Sequence, residues 1–185
     1  MGDFHQNGII TTLHNLNQRP LAEMEYELQV FSRLRPMTLI LPSLYSELQG
    51  PALPNIINEL KQVPYLNQIV IGLDRADRDQ YLHAREFFGD LPQHHRILWN
   101  DGPRLRAIDE KLKELGLAPT EPGKGRNVWY CLGYTLASRK SQAIALHDCD
   151  ILTYSRELLA RLIYPVANPA FNYQFCKGYY ARVAD

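Results

Sequence analysis

Two aspartates separated by one residue, Asp148 and Asp150, are suited by type and spacing to bind a metal ion. They directly follow an apolar run, residues 142–147, that has the character of a buried strand. Side chains at positions i and i+2 of an extended chain point to the same side. Two carboxylates that face one way form a hard-oxygen site for Mg²⁺ or Mn²⁺, which substrate phosphates commonly complete. The spacing alone is also typical of aspartates that cap a turn.

A Pro-Gly-Lys-Gly turn at residues 122–125 leads directly into a predicted helix. Gly123 and Gly125 let the backbone approach a ligand closely, and a helix N-terminus offers free N–H groups and a partial positive charge. Lys124 adds a full charge. An ordinary loop with an exposed lysine is the alternative, and the spacing of a Walker A loop is absent. Together with the acidic pair, the turn predicts a site for a diphosphate and a divalent cation.

Short apolar runs alternate with amphipathic segments along the chain. The runs predict strands at residues 37–42, 68–73, 95–99 and 142–147. The segments predict helices at residues 20–34, 54–63, 76–88, 104–115, 126–137 and 155–164, the last with Ser155 as its cap. An aromatic-rich stretch, residues 171–183, is also strand-like. This alternation predicts βαβ units, that is, an α/β fold with a mostly parallel sheet flanked by helices. Ligands of such sheets bind at the carboxyl ends of the strands.

The residues that follow the predicted strands are therefore further candidates. Residues 43–47 follow the first strand and are candidates to line a base or ribose pocket. Asp74 and Asp77 follow the second strand and are candidates to bind ribose hydroxyls, with turn chemistry or helix capping as an equal alternative. His147 is more typical of a packed, hydrogen-bonded histidine than of a ligand. Lys177 lies in the aromatic stretch and is a candidate to bind a phosphate-bearing acceptor.

Bulk composition restricts the function classes. A chain of 185 residues with 45% hydrophobic and 22% charged residues is typical of one soluble globular domain. A net charge of zero lacks the electrostatic footprint of a nucleic-acid binder. No apolar run approaches the roughly 20 residues needed to span a bilayer, and the polar start lacks a signal-peptide core. These features predict a cytoplasmic protein without nucleic-acid or membrane partners. The three cysteines form no CxxC pattern and predict reduced, mostly buried thiols.

Three motifs in this order resemble those of the glucosyl-3-phosphoglycerate synthases. They are residues 123–129 (GKGRNVW), 147–151 (HDCDI) and 174–180 (QFCKGYY), and Pro42-Ser43-Leu44 resembles the first-strand ending of that family. The match extends over residues 37–182, most of the chain. The resemblance implies a Rossmann-like GT-A fold, with residues 1–185 as one nucleotide-sugar-binding domain.

The resemblance also implies an activity and a set of site residues. The activity is a metal-dependent, retaining transfer of a hexose, expected to be glucose, from a nucleotide sugar to 3-phosphoglycerate or a similar small acceptor. The cofactor is Mg²⁺ or Mn²⁺, bound by Asp148 and Asp150, and Lys177 is expected to bind the acceptor. No catalytic side chain is implied. The residues expected to bind the nucleotide sugar are Pro42, Leu44, Glu47, Asp77, Gly123, Lys124, Gly125 and Asp148.

Two other functions stay open, and so does the base of the donor, because Tyr45 and Ser46 depart from the family pattern after the first strand and leave uridine and guanosine as alternatives. Family members continue well beyond the position of Asp185, with acceptor-binding residues and a metal-ligating histidine, so we expect the acceptor-binding part to be absent here. A sheet edge left exposed in this way predicts a homo-oligomer. One alternative is a sugar-phosphate nucleotidyltransferase, although residues 42–45 are not the glycine-rich basic loop that such enzymes carry after the first strand. The other is a non-catalytic nucleotide-binding or interaction module.

Overall fold

The computed structural model of the chain describes residues 19–119 and 121–178. Four strands form its sheet: β1 (Met37–Leu44), β2 (Leu66–Asp74), β3 (His95–Trp99) and β4 (Ala143–Leu146). The helices are α1 (Leu21–Ser32), α2 (Ala52–Leu60), α3 (Arg78–Phe88), α4 (Pro103–Glu114), α5 (Lys124–Ser138) and α6 (Arg156–Ala167), and a 3₁₀ helix spans Tyr45–Gln49. Each predicted helix and each of the four short predicted strands is present, with ends shifted by a few residues.

The four strands pair in parallel in the order β3-β2-β1-β4. From β1 the chain proceeds outward through β2 to β3 and then returns to place β4 on the other side of β1. The strand order therefore reverses at β1, and ligands of open α/β sheets bind at such a reversal, outside the carboxyl ends of the strands. The prediction of a mostly parallel sheet flanked by helices is confirmed.

Both faces of the sheet are covered, which explains why β1 and β2 are apolar along most of their length. Leu39 and Ile69 belong to the large core cluster that includes side chains of α1, α2, α3 and α6. Ile40 and Val70 point to the opposite face and pack with Cys131 of α5. Successive residues of a strand alternate between faces, so a strand buried on both sides carries no polar alternation. Helix α5 thus packs on this face, and its first turn reaches the end of β2 through the Asn127 bond to the Gly72 carbonyl.

The aromatic stretch was predicted as a strand, and that prediction is wrong for residues 171–178, which form neither strand nor helix. Residues 179–183 lie outside the described part of the chain. Aromatic side chains favour strands only where a neighbouring strand offers backbone partners. Phe171 instead packs against Tyr164 of α6, with ring centroids 6.2 Å apart, and Tyr173 packs against Phe171 at 5.8 Å.

No helix in the described ranges combines the length and the apolar character needed to cross a bilayer.

Candidate functional site

A cavity of about 190 Å³ lies at the carboxyl ends of β1, β2 and β4, where the strand order reverses. Its walls come from the ends of these strands and from the first turn of α5. The lining residues are Pro42, Ser43, Leu44, Glu47, Asp74, Arg75, Gly123, Lys124, Asn127, Asp148, Cys149 and Asp150. The cavity thus unites most of the candidates that the sequence offered from separate segments.

Pro42 reaches the cavity from a central strand, a position where proline is unusual because it has no N–H to donate. The end of β4 explains why it is tolerated. The last residue of β4, Leu146, pairs with Ile40, and the N–H of His147 donates to the Ile40 carbonyl at 3.1 Å. Residues two apart in a strand direct their backbone groups to the same neighbour. The nitrogen of Pro42 therefore faces the gap beyond β4, where no ladder hydrogen bond is lost.

Leu44 and Glu47 form the wall after β1. The Glu47 carboxylate accepts a hydrogen bond from the Leu44 N–H at 2.9 Å, which holds the carboxylate at the start of the 3₁₀ helix. Ser43 is buried, and its hydroxyl donates to the Leu44 carbonyl at 3.1 Å. This wall combines the apolar Pro42 and Leu44 with one fixed carboxylate. Such a wall suits a flat ring whose faces pack on apolar side chains and whose edge carries hydrogen-bonding groups.

The Gly-Lys-Gly turn becomes the N-terminus of α5. Gly123 precedes the helix with a φ of 137°, a conformation that side chains with a Cβ rarely adopt. Lys124 is the first helical residue and its ammonium contacts Asp148 Oδ1. The two side chains are 56% and 46% exposed, so the pair contributes less than about 1 kcal/mol to stability. Gly125, expected at the site, lies in the first helical turn but does not line the cavity.

The acidic pair alternates with a buried cysteine. Cys149 is 1% exposed, whereas Asp148 is partly exposed and Asp150 is exposed. Cys149 and Asp150 lie in a turn after β4 and not in an extended strand, so the turn brings both carboxylates to the cavity. Burial raises the pKa of the Cys149 thiol well above its usual range, so it is protonated at neutral pH and does not compete as a thiolate ligand.

The residues at this point fit a divalent cation whose coordination is completed by a substrate. Asp148 and Asp150 both line the cavity and offer carboxylate oxygens. Within the described ranges, no group of three or more His, Cys, Asp or Glu side chains is placed to hold a metal. Mg²⁺ is commonly bound by one or two carboxylates together with substrate phosphates and waters. A phosphate at the α5 N-terminus would stand beside such an ion.

Two residues that the sequence offered as candidates have other places. Asp77 is the N-cap of α3, where its carboxylate accepts the Gln80 N–H at 2.8 Å, and it does not line the cavity. Asp74, three positions earlier, does line it. Lys177 is exposed in the irregular segment after α6 and lies outside the cavity.

His147, directly before the acidic pair, is a buried histidine of the kind the sequence suggested. Its Nδ1 lies 3.2 Å from the Tyr154 hydroxyl. Burial lowers the pKa of His147 to about 4, so the ring is neutral at physiological pH.

Asn127 and Arg75 line the cavity, and neither was singled out from the sequence. Asn127 is 3% exposed, and its Nδ2 donates to the Gly72 carbonyl at 2.8 Å, which joins the first turn of α5 to β2. Its position one helical turn after Gly123 is the pattern that could have indicated it. Arg75 directly follows the last residue of β2, and that placement at a strand end could have indicated it as well.

A buried carboxylate fastens the first turn of α5 to α4. Asp109 side-chain oxygens accept from Lys113 at 2.6 Å, from Arg126 Nη2 at 3.2 Å and from the Tyr130 hydroxyl. The hydrogen bonds from Lys113 and Tyr130, together with the charges of Arg126 and Lys113, hold the pKa of Asp109 below its usual range. This network orients the helix whose N-terminus carries Lys124.

A parallel sheet with an acidic pair and a lysine-bearing helix N-terminus at its reversal point is the arrangement expected of a GT-A fold. Structural similarity confirms that fold. Glucosyl-3-phosphoglycerate synthase from Mycobacterium tuberculosis, in complex with Mn²⁺, uridine diphosphate and glucosyl-3-phosphoglycerate, matches 85% of this chain and 47% of its own, with a TM-score of 0.52 and 16% identity. The complex of that protein with Mn²⁺ and UDP-glucose matches 78% of this chain and 44% of its own, with a TM-score of 0.51 and 16% identity.

The predicted resemblance to glucosyl-3-phosphoglycerate synthases is confirmed by sequence relatives. The synthase of Persephonella marina is 52% identical over 99% of this chain, and that of Methanococcoides burtonii is 42% identical over 98%. The matches cover 45% and 44% of these relatives, so the chain spans somewhat under half of their length. No protein-family model matches the chain.

Proposed function

We propose that this chain is the donor-binding part of a metal-dependent glucosyl-3-phosphoglycerate synthase, which transfers glucose from UDP-glucose to 3-phosphoglycerate with retention of configuration. The observation that carries the proposal is the convergence of Lys124, Asp148 and Asp150 in one cavity. The similarity to named synthases over nearly the whole chain supports it. Retention of configuration and the identity of the acceptor are proposed from the family resemblance alone.

Each wall of the cavity has a distinct part in binding the donor. Pro42 and Leu44 would pack against the base, with Glu47 as a polar group at its edge. Lys124 and the free N–H groups of the α5 N-terminus would bind the diphosphate. These cationic and dipolar groups stabilise the negative charge that develops on the diphosphate as it leaves, because they are fixed in place before the reaction.

Asp148 and Asp150 would hold the Mg²⁺ or Mn²⁺. When bound, the cation supplies Lewis-acid stabilisation of the leaving diphosphate. Lys124 forms an ion pair with Asp148. A metal ion that binds alone must displace Lys124 from Asp148, and a donor that binds alone must displace Asp148 from Lys124. When metal and donor bind together, the metal pairs with Asp148 and the diphosphate pairs with Lys124, so we expect the two to bind cooperatively.

The acceptor is expected to be held mainly by segments outside the described cavity. Lys177 does not line the donor cavity, and its role in binding the acceptor phosphate remains a prediction. A homo-oligomeric state, a cytoplasmic location and the lack of nucleic-acid and membrane partners likewise remain predictions. A nucleotidyltransferase is less well supported, because β1 is followed by a 3₁₀ helix at Tyr45–Gln49 and not by a glycine-rich loop.

Calorimetric titration of the chain with UDP-glucose and GDP-glucose, each with Mg²⁺, Mn²⁺ or chelator, tests the donor site. We expect binding of UDP-glucose that requires the cation and is lost in Asp150→Asn. The matched control is Asp79→Asn, an exposed aspartate on α3 outside the cavity, which should bind as the unmodified chain does. Equal affinity with metal and with chelator would contradict the proposal. Pyrophosphate release from a nucleoside triphosphate and a sugar phosphate would favour the nucleotidyltransferase instead.

A further inference from the structure

Arg75 lines the cavity from the end of β2, whereas Lys124 lines it from α5. We propose that Arg75 is a second cationic ligand of the donor diphosphate and acts together with Lys124. This inference rests on the proposed function and deepens it, because it assigns diphosphate binding to a residue outside the Gly-Lys-Gly turn.

The backbone at Arg75 is held in an uncommon conformation. Its φ is 55°, the left-handed region that residues with a Cβ enter only at a cost. The next residue is fixed from two sides, since the Ala76 N–H donates to Asp101 Oδ2 at 3.1 Å and the Trp99 indole donates to the Ala76 carbonyl at 2.7 Å. The Trp99 ring stacks on Tyr81, with centroids 4.8 Å apart. Such enforced conformations are frequent at ligand sites.

The charges around the cavity leave Arg75 available to an anion. Across residues 19–119 and 121–178, the cavity is lined by two cations, Arg75 and Lys124, and by four carboxylates. Lys124 contacts Asp148. Arg75 is exposed and has no hydrogen-bond or ion-pair partner among the residues that the structure describes. The Arg75 guanidinium is therefore available to bind an anionic ligand.

The neighbouring elements favour phosphate over the nucleoside as the target. The Asn127 bond to the Gly72 carbonyl holds the first turn of α5 against the end of β2, so the phosphate-binding helix N-terminus adjoins the strand end that carries Arg75. A guanidinium offers a planar fork of donors that matches two phosphate oxygens. The apolar wall expected to face the base comes instead from β1.

The test compares binding of UDP and uridine, with Mn²⁺ present, to the chain and to the variants Arg75→Ala, Arg75→Gly and Arg75→Lys. Loss of a charged hydrogen-bond donor should weaken UDP binding about tenfold in the alanine and glycine variants. Uridine binding should not change, and lysine should restore part of the UDP affinity. The control is Arg78→Ala, an exposed arginine at the start of α3 outside the cavity.

Arg75→Gly separates binding from folding, because glycine adopts a positive φ without penalty and should leave the thermal midpoint unchanged or raised. UDP affinity equal to that of the unmodified chain in both Arg75→Ala and Arg75→Gly would overturn the inference, while the loss in Asp150→Asn would still support the proposed function. Equal weakening of uridine and UDP would overturn the assignment to phosphate. If the unmodified chain bound no UDP with Mn²⁺, the proposed function would fail together with the inference.

Discussion

Gly72 of β2 is the position where the smallest possible substitution should disturb the donor site most. A Cβ built on Gly72 would lie 1.8 Å from Asn127 Oδ1 and 2.6 Å from Cys131 Sγ. Both distances are far below van der Waals contact, and both neighbours are buried side chains of α5. Gly72→Ala therefore forces the first turns of α5 away from the sheet or displaces Asn127 from its bond to the Gly72 carbonyl.

The expected destabilisation combines two effects. Overpacking a well-packed interior costs about 1–3 kcal/mol, and losing the hydrogen bond of a buried amide costs about 1 kcal/mol more. We therefore expect Gly72→Ala to lower the free energy of unfolding by about 2–4 kcal/mol. For a domain of this size each kcal/mol corresponds to roughly 2–4 °C in the thermal midpoint. Donor affinity should fall as well, because Asn127 and Lys124 belong to the same helix end.

Denaturant unfolding of Gly72→Ala and of Gly133→Ala measures this effect against a matched control. Gly133 lies in the middle of α5, where an added Cβ meets nothing within 4 Å, so alanine there should stabilise the chain by about 0.5–1 kcal/mol. The glycine-to-alanine substitution should thus destabilise the chain at residue 72 and stabilise it at residue 133. In an Asn127→Ala background the cost of Gly72→Ala should shrink. A Gly72→Ala variant as stable as the unmodified chain, or an undiminished cost in that background, would refute the packing argument.

Two further predictions concern Lys124 in the cavity and Asp109 between α4 and α5. Lys124→Ala should weaken UDP binding about tenfold, yet it should tighten Mn²⁺ binding without nucleotide by only a few-fold, because the exposed pair with Asp148 contributes less than about 1 kcal/mol. If calorimetry showed weaker Mn²⁺ binding by Lys124→Ala, the idea that metal and Lys124 compete for Asp148 would be contradicted. Asp109→Asn should lower the free energy of unfolding by about 1–3 kcal/mol at neutral pH. Folding lowers the pKa of the Asp109 carboxyl from about 3.8. The stabilisation that this carboxylate contributes is therefore fully present above pH 3.8 and is lost as the pH falls through the lower pKa of the folded state. The difference between variant and unmodified chain in denaturant unfolding should therefore narrow at acidic pH, and a constant difference would argue against the ionic network.

The local patterns of the chain were sufficient for the fold class and for the four strands of the described sheet. Apolar runs of strand length that alternate with amphipathic segments determine a parallel sheet covered by helices, because only that layering buries both faces of such strands. The acidic pair was readable because it closely follows an apolar run, and the carboxyl ends of the strands are where ligands of parallel sheets bind. The Gly-Lys-Gly turn was readable because Gly123 has a backbone conformation that glycine favours.

The tertiary structure alone decided which of the candidates meet. Asp74 and Asp77 both follow β2 in the sequence, and the resemblance favoured Asp77. In the structure Asp77 is a helix cap at the start of α3, whereas Asp74 lines the cavity. Arg75 reaches the cavity through a turn held by Trp99, the last residue of β3, and by Asp101 in the loop that follows. Residues 171–178 lack a strand partner in the described sheet and pack on α6 instead. Local spacing specifies elements and the face of each side chain, whereas contacts between distant segments depend on how those elements pack together.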